Sequence, residues 1–162
     1  MFRPETGKPL YELAQVLLRG NSTLTEAERE LIAAYVSKRN DTMFCMMSHA
    51  AASRALYGND KNIVDEVLKD MQQANISSKL KSLLNIAGKV QILGKEVKPE
   101  DIDVARKEGA TDKEIHDTVL IAAAFSMFNR YVDGLASFTP TDEKEYEAMG
   151  KRMAEKGYVQ PK

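Results

Sequence analysis

The sequence predicts an all-α protein of about seven or eight helices. Apolar residues recur at i, i+3, i+4 and i+7 along nearly the whole chain, and no segment is convincing as a strand. Two capping boxes mark helix starts, at Thr25 with Glu28 and at Thr111 with Glu114. Since no linker or internal repeat divides the 162 residues, we expect one helical-bundle domain over 1–162.

The first three helices are bounded by residues that favour helix ends. They are predicted over 10–19, 26–39 and 42–57, and they stop at Gly20, Asn40 and Gly58. Asn40 tolerates the left-handed conformation of a helix end, and Asp41 is a favourable N-cap for the helix that follows. These two residues therefore predict a sharp break between the second and third helices.

The second half of the chain continues the helical pattern. Further helices are predicted over 62–73, 78–93 and 99–107, and the capping box at Thr111 opens a long apolar helix that runs through 115–136. Pro99 takes a first-turn position, and Gly109 follows the end of that helix. A highly charged last helix starts near Asp142, and we expect it to fray over residues 158–162.

Composition excludes several classes of function. The chain carries 23 basic and 24 acidic residues, a net charge of −1, so it has no electrostatic footprint for nucleic acid or an anionic membrane. No stretch approaches the roughly 20 apolar residues of a membrane span, and the first residues do not resemble a signal peptide. A single cysteine suits a reducing compartment, so we expect a cytoplasmic protein.

The one cysteine and one of the two histidines lie four residues apart, in the segment NDTMFCMMSHA. In a helix over 42–57, Thr42, Cys45 and His49 share one face. Cys45 lies near the helix N-terminus, whose dipole favours a thiolate, and His49 is within reach to accept its proton. We therefore expect a lowered thiol pKa at Cys45.

Glu30 is the candidate for a third group that orients the histidine. It stands one position from the apolar stripe of its helix, whereas Glu28 is occupied by the capping box, so Glu30 can turn inward. A nucleophile beside a base that a third group orients is the general arrangement of activated cysteine chemistry. Glu30, Cys45 and His49 are the predicted catalytic residues, with Thr42 in support.

A purely structural explanation of these residues is also open. Free cysteine is among the most buried residue types and is often a passive small hydrophobe. A structural zinc needs about four ligands, and the other histidine, His116, lies on a different helix among charged neighbours. We predict no metal and no cofactor, and we expect His116 on the surface.

A second polar cluster interrupts the long apolar helix at Asn129, Arg130 and Asp133. Because buried charges need partners, we predict that Arg130 and Asp133 form a structural ion pair, with binding of a substrate carboxylate as the alternative. Methionines on the third helix are expected to fill the core or an interface, the alternative being a hydroperoxide or aromatic-acid pocket. They are Met43, Met46 and Met47.

Together these residues resemble the alkylhydroperoxidase D-like (AhpD-like) fold of the carboxymuconolactone decarboxylase superfamily, in particular its peroxidase-related branch. The likeness lies in the segment from Glu30 through YVSKRNDTMFCMMSHA and in the later DIDVARKEGATDKEIHDTVLIAAAFSMFNRYVDGLA. In that family the first segment carries a glutamate, a Cys-x-x-Cys pair and a histidine four residues after the second cysteine. The resemblance implies that Glu30, Cys45 and His49 are their equivalents here.

The sequence departs from that family at the first cysteine of the pair, which falls on Thr42. The intramolecular disulfide of the two-cysteine members therefore cannot form. A threonine hydroxyl can donate a hydrogen bond to a Cys45 thiolate, but it cannot resolve a sulfenic acid. The resemblance also implies assembly as a homo-oligomer, from dimer to hexamer, with the site close to subunit contacts.

We predict a one-cysteine alkylhydroperoxidase-like antioxidant oxidoreductase. His49, assisted by Glu30, would deprotonate Cys45 for attack on a small hydroperoxide, and an external thiol would reduce the sulfenic acid. One alternative is a decarboxylase-like lyase, in which Glu30 and His49 move protons on a small carboxylic acid. The other is a non-catalytic oligomeric binding protein with an unreactive thiol.

Overall fold

The computed structural model describes residues 3–159. Within them the chain forms eight α-helices and no strand, which confirms the predicted all-α class. The helices are α1 (Pro4–Arg19), α2 (Glu26–Arg39), α3 (Met43–Tyr57), α4 (Asn62–Asp70), α5 (Ser78–Ile92), α6 (Pro99–Lys107), α7 (Asp112–Gly134) and α8 (Glu143–Lys156). Single 3-10 turns follow α3 and α5, at Gly58–Asp60 and Gly94–Glu96.

The local signals for helix starts act as predicted at α2 and α7. Thr25 and Glu28 form a capping box at the start of α2, and Thr111 and Glu114 form one at the start of α7. The predicted start of α1 near residue 10 is wrong. That helix begins at Pro4, because proline fits the first turn, where its missing N–H would have no helical partner.

The predicted roles of Asn40 and Asp41 at the break after α2 are also wrong. Asn40 is right-handed with φ −86°, Asp41 takes the left-handed conformation with φ 58°, and Thr42 is the N-cap of α3. The Asn40 amide instead donates to Asn129 at 2.8 Å. Aspartate can occupy the left-handed region because its short side chain bonds locally. The break is thus as sharp as predicted, but the left-handed residue and the N-cap each lie one residue later than expected.

The core is built around α2, which packs against α1, α3, α4, α5 and α7. Its central residues have no exposed surface, and they are Leu31, Ile32, Ala33, Ala34 and Val36. A helix that is apolar on nearly all sides is enclosed by its neighbours. Glu30 directly precedes this run, so its carboxyl group lies inside the bundle.

A stripe of apolar side chains stays exposed along α7 and at its C-cap, at Leu120, Met127, Tyr131 and Leu135. Their spacing of seven, four and four residues places them on one face of the helix. Such a stripe is typical of a surface that contacts a partner, and the homo-oligomer stays a prediction. Within residues 3–159, no helix combines the length and the apolar character that a membrane crossing needs.

The close crossing of α3 and α8 generates a stability prediction. A Cβ on Gly150 would lie 2.5 Å from the carbonyl carbon of Ala51 and 2.6 Å from its Cβ, distances at which the helices must move apart. We expect Gly150→Ala to lower the free energy of unfolding by about 1–3 kcal/mol, measured by urea denaturation.

Gly134→Ala is the matched control, because a Cβ at this last residue of α7 meets no atom within 4 Å. Its stability should equal or slightly exceed that of the parent, since alanine favours the helix. Equal stability of the two variants would contradict the close crossing.

Candidate active site

The carboxyl group of Glu30 is the centre of a buried cluster that joins four parts of the chain. Its Oε2 lies 2.6 Å from Nδ1 of His49 on α3. Its Oε1 accepts from Nη2 of Arg19 at the end of α1, at 2.6 Å, and from the hydroxyl of Tyr158, at 2.5 Å. Glu30 has no exposed surface, so the inward orientation predicted for it is what the structure has.

The partners of Glu30 decide its charge. Burial alone would raise the pKa of Glu30, but electrostatic attraction and a hydrogen bond to the His49 ring, together with Arg19 and Tyr158, outweigh it and hold the pKa below its usual value. Burial, followed by the charge of Glu30, raises the pKa of Tyr158 well above its usual value. Glu30 is therefore a carboxylate that accepts hydrogen bonds, and Tyr158 is a neutral phenol that donates one.

The ring of His49 is fixed from several sides. Since Glu30 is ionised, Nδ1 of His49 carries a hydrogen and donates it, which leaves Nε2 as the other ring nitrogen. The edge of Phe125 packs against the imidazole, with ring centroids 4.5 Å apart and planes at 84°. The ring of Tyr158 lies nearly parallel to it, with centroids 6.1 Å apart. This packing holds one ring orientation.

Cys45, His49 and Tyr158 open onto one cavity of about 520 Å³ between α1, α3 and α7. Its walls are mostly apolar and aromatic, and Arg3 contributes a cation. The other lining residues are Gly7, Leu10, Tyr11, Ala14, Phe125, Phe128, Tyr131, Val132 and Leu135. The structure thus brings Cys45 and His49 to one apolar space, while Glu30 lies behind His49.

The lowered thiol pKa predicted for Cys45 is wrong. Burial raises the pKa of Cys45 to about 11, a hydrogen bond from Asn129 acts in the opposite direction, and the negative charge of Asp133 raises it further. The thiol lies in the first turn of α3 and is 5% exposed. Desolvation of the thiolate in this apolar setting outweighs the helix dipole. Cys45 is therefore a protonated thiol at neutral pH.

Thr42 does not support Cys45 in the way the sequence suggested. Its hydroxyl donates to Oδ2 of Asp133 at 2.5 Å, and its side chain makes no capping bond to α3. Asn129 is fully buried and donates to the Ser37 hydroxyl at 2.9 Å. The side chains that shift the thiol pKa are Asn129 and Asp133 of α7, and Thr42 is not one of them.

The ion pair predicted between Arg130 and Asp133 does not form. The Arg130 guanidinium is exposed and donates to the Ser126 carbonyl at 2.8 Å, whereas Asp133 accepts from Thr42. The spacing would allow the pair, but the Thr42 hydroxyl binds the Asp133 carboxylate while the Arg130 side chain turns back along its own helix to Ser126. Arg130 is also absent from the cavity wall, so it is not placed to bind a substrate there.

The other sequence-predicted residues lie outside the cavity. Met46 packs against the core, Met43 is exposed, and Met47 lines a separate, more polar cavity between α3, α4 and α8. The side chain of His116 is 70% exposed, as expected for a surface residue.

Arg19 and Tyr158 are the site residues that sequence reasoning missed. In the sequence, Arg19 is a basic residue in the last turn of a helix, a common position that indicates no site, and Tyr158 falls in the segment predicted to fray. That prediction is wrong for Tyr158, which is partly buried against Glu30; residues 160–162 lie outside the described part of the chain. One local signal was present: Gly157 directly precedes the aromatic Tyr158 after the charged last helix, a pattern that indicates a turn followed by a packed side chain.

Solved structures share this architecture. The chain matches an uncharacterized peroxidase-related protein from Silicibacter sp. TM1040 with a TM-score of 0.82 and 28% identity, over 92% of this chain and 76% of that one. It matches an alkylhydroperoxidase AhpD core protein from Ralstonia eutropha JMP134, described as peroxidase-related, with a TM-score of 0.82 and 26% identity, over 93% and 77% of the two chains.

A third structure, a protein of unknown function from Agrobacterium tumefaciens provisionally described as the antioxidant defence protein AhpD, matches with a TM-score of 0.72. Its identity of 20%, over 87% of this chain and 94% of that one, bears on the fold alone. No protein-family model matches the sequence, and no curated protein is similar to it.

The raised pKa of Cys45 predicts how the thiol reacts with iodoacetamide. The alkylation rate should keep rising with pH towards a midpoint of about 11, without a plateau near the ~8.5 of a free thiol. Asp133→Asn should lower that midpoint, because it removes the negative charge beside the thiol. Far-UV circular dichroism at each pH would limit the comparison to folded protein.

Asp60→Asn, on an exposed turn, is the control and should leave the profile unchanged. A midpoint at or below ~8.5 in the parent would mean that the site stabilises the thiolate after all.

Proposed function

From the AhpD-like fold of this chain, we propose that it is a one-cysteine thiol peroxidase that reduces uncharged organic hydroperoxides. The observation that carries the proposal is the shared apolar cavity onto which Cys45 and His49 open. Its support from known proteins is the likeness to two peroxidase-related structures at 28% and 26% identity. In this proposal Cys45 is the nucleophile, His49 the base, and Glu30 the group that orients the base.

The high pKa of Cys45 determines how the first step must run. At a pKa of about 11 only about one thiol in 10⁴ is ionised at pH 7, so the thiolate has to be formed during the reaction. Nε2 of His49 takes the thiol proton as the sulfur attacks the terminal peroxide oxygen. The O–O bond breaks, the sulfur becomes a sulfenic acid, and the proton passes to the leaving alkoxide, which departs as an alcohol.

The second half of the cycle needs a reductant from outside the chain. An external thiol attacks the Cys45 sulfenic acid, which releases water and leaves a mixed disulfide, and a second thiol then releases Cys45 and a free disulfide. Thr42 has no sulfur with which to replace the first of these thiols. The proposal therefore includes a small thiol or a dithiol protein as the reductant.

The walls of the cavity favour an uncharged substrate over the small carboxylic acid of a lyase. Arg3 is the cation on the wall; it is itself exposed and lies 2.7 Å from Glu5. Arg19 is already bound to Glu30, and the charge of Asp133 near Cys45 repels an anion. Transfer of a carboxylate into this space would cost free energy that no buried lysine or arginine of the described cavity wall returns.

A lyase that moves protons with His49 is the second candidate, and the raised pKa of Cys45 favours it because a protonated thiol can be a bystander. Glu30 would not transfer protons in such an enzyme. Its carboxylate is fully buried and bonded to three donors, and it does not reach the cavity wall. The two candidates therefore differ in whether Cys45 is required: the peroxidase needs both Cys45 and His49, whereas the lyase needs His49 without Cys45.

The first experiment measures oxidation of Cys45 by cumene hydroperoxide, an apolar probe. We expect one equivalent of sulfenic acid at Cys45, trapped by a dimedone-type reagent, and none in Cys45→Ser. His49→Gln should slow the reaction by roughly 10²-fold, since it removes the base, whereas His116→Gln on the exposed surface should not.

An unreactive Cys45 in the folded parent would refute the peroxidase proposal. If Cys45→Ser instead retained proton-transfer activity on a small acid that His49→Gln had lost, the lyase would be the function.

A second experiment restores the missing cysteine. Thr42 is the N-cap of α3 and Cys45 lies in its first turn, so Thr42→Cys creates a Cys-x-x-Cys at a helix N-terminus, a motif that can close into a disulfide. Because Asp133 loses its hydroxyl donor, the variant is best made with Asp133→Asn. We expect a reversible disulfide and multiple turnovers with dithiothreitol, against slow recycling in the parent.

Asp133→Asn alone is the control for that experiment and should form no intramolecular disulfide. Thiols that pair without any gain in peroxide turnover would argue that the cavity serves a substrate other than a hydroperoxide.

A further inference from the structure

We propose that Tyr158, carried by the segment after α8, is a positioning residue that fixes the Glu30 carboxylate and through it the tautomer of His49. The proposal rests on the proposed function for its kinetic consequence, but its structural claim can be tested without any activity. It concerns a residue more than 100 positions away from the Cys45–His49 motif in the sequence.

The segment after α8 is directed into the site by a single turn. Gly157 has φ 66°, a conformation that favours glycine, and a Cβ there would lie 2.4 Å from Oε1 of Gln15, so a side chain at this position would displace the Gln15 amide. The backbone N–H of Tyr158 donates to that same Gln15 oxygen at 2.7 Å. The side chain of Gln15 on α1 therefore anchors the backbone from which Tyr158 reaches the site.

The side chain of Tyr158 contacts every charged member of the cluster. Its hydroxyl donates to Oε1 of Glu30 at 2.5 Å and lies 3.3 Å from Nδ1 of His49. The Arg19 guanidinium lies 5.3 Å from the centre of the tyrosine ring. The ring also forms part of the cavity wall, so it separates the buried carboxylate from the cavity.

The geometry of the carboxylate explains what this hydrogen bond does. Oε1 accepts from Arg19 and Tyr158, and with that oxygen held by two donors the carboxyl group cannot rotate, so Oε2 stays aimed at Nδ1 of His49. The bond from Nδ1 in turn keeps the hydrogen off Nε2, the nitrogen that must accept a proton. Loss of the hydroxyl leaves Arg19 as the one donor to Oε1 among the described residues.

Tyr158 is set to donate in this way over the whole working pH range, because burial and the adjacent carboxylate keep it protonated. The polar groups in contact with His49 are Glu30 from α2 and Tyr158 itself, while Phe125 covers the ring from α7. Arg19 and Glu30 are bonded to each other, so Tyr158 is the neutral donor that completes the cluster.

The test compares Tyr158→Phe, which keeps the ring and removes the hydroxyl, with the parent and with Tyr57→Phe as a control away from the site. Nitrogen-15 NMR of the histidine rings reports the tautomer, and His116→Gln assigns the His49 signals. We expect one Nδ1–H tautomer of His49 in the parent and in Tyr57→Phe, and a mixture of the two tautomers in Tyr158→Phe.

The rate of Cys45 oxidation by cumene hydroperoxide should fall about tenfold in Tyr158→Phe, as expected for a lost hydrogen bond to a charged group. Gln15→Ala, which removes the backbone anchor but leaves the tyrosine intact, should produce the same mixture of tautomers. It also serves as the second variant if Tyr158→Phe does not fold.

An unchanged His49 tautomer in Tyr158→Phe, with oxidation within twofold of the parent, would overturn the proposal. A tautomer mixture in a protein whose parent does not react with hydroperoxide would support the positioning role while refuting the peroxidase function. Failure of the positioning role and failure of the peroxidase function therefore give different results.

Discussion

The buried carboxylate of Glu30 is the interaction on which both the fold and the site depend. An ionised carboxyl group inside a helical bundle is costly unless it is paired and fully hydrogen-bonded. Glu30 meets that condition only because Arg19, His49 and Tyr158 come from three different parts of the chain to reach its two oxygens. Correct packing of α1, α3 and the segment after α8 on α2 is thus also what assembles the site.

The same packing gives the cavity its chemical character. The charges of Arg19 and Glu30 are paired behind the imidazole, so apart from the exposed Arg3 the cavity is lined by apolar and aromatic side chains with the Cys45 thiol and the His49 ring. In that setting burial keeps Cys45 protonated, and the negative charge of Asp133 adds to the effect. A site of this kind cannot rely on a stored thiolate. In the proposed reaction, the rate of attack would depend on how well His49 accepts the thiol proton.

The sequence predicts those features that are determined over a few residues. The capping boxes at Thr25 and Thr111 gave the correct starts of α2 and α7, and the spacing of Cys45 and His49 placed both on one face of α3. Features that depend on distant contacts were missed or wrong. Tyr158 meets its partner across 128 positions of sequence, which no local pattern records. The predicted pKa of Cys45 was wrong for the same reason. Burial depends on how the whole bundle packs, whereas the position of Cys45 near a helix N-terminus can be read from the local sequence.

Thr42 stands where the resemblance to the two-cysteine proteins implies a resolving cysteine, and it affects more than one group of the site. The Thr42 hydroxyl is bonded to Asp133, so the α7 side of Cys45 presents a carboxylate where a resolving thiol would have to ionise. A second thiolate there would face the same repulsion that raises the pKa of Cys45. Any sulfenic acid formed at Cys45 is consequently accessible to a reductant from the cavity alone. In the proposed cycle, the apolar space between α1 and α7 would have to admit first the hydroperoxide and then the thiol, and both would enter past the exposed rings of Tyr11 and Tyr131 on its wall.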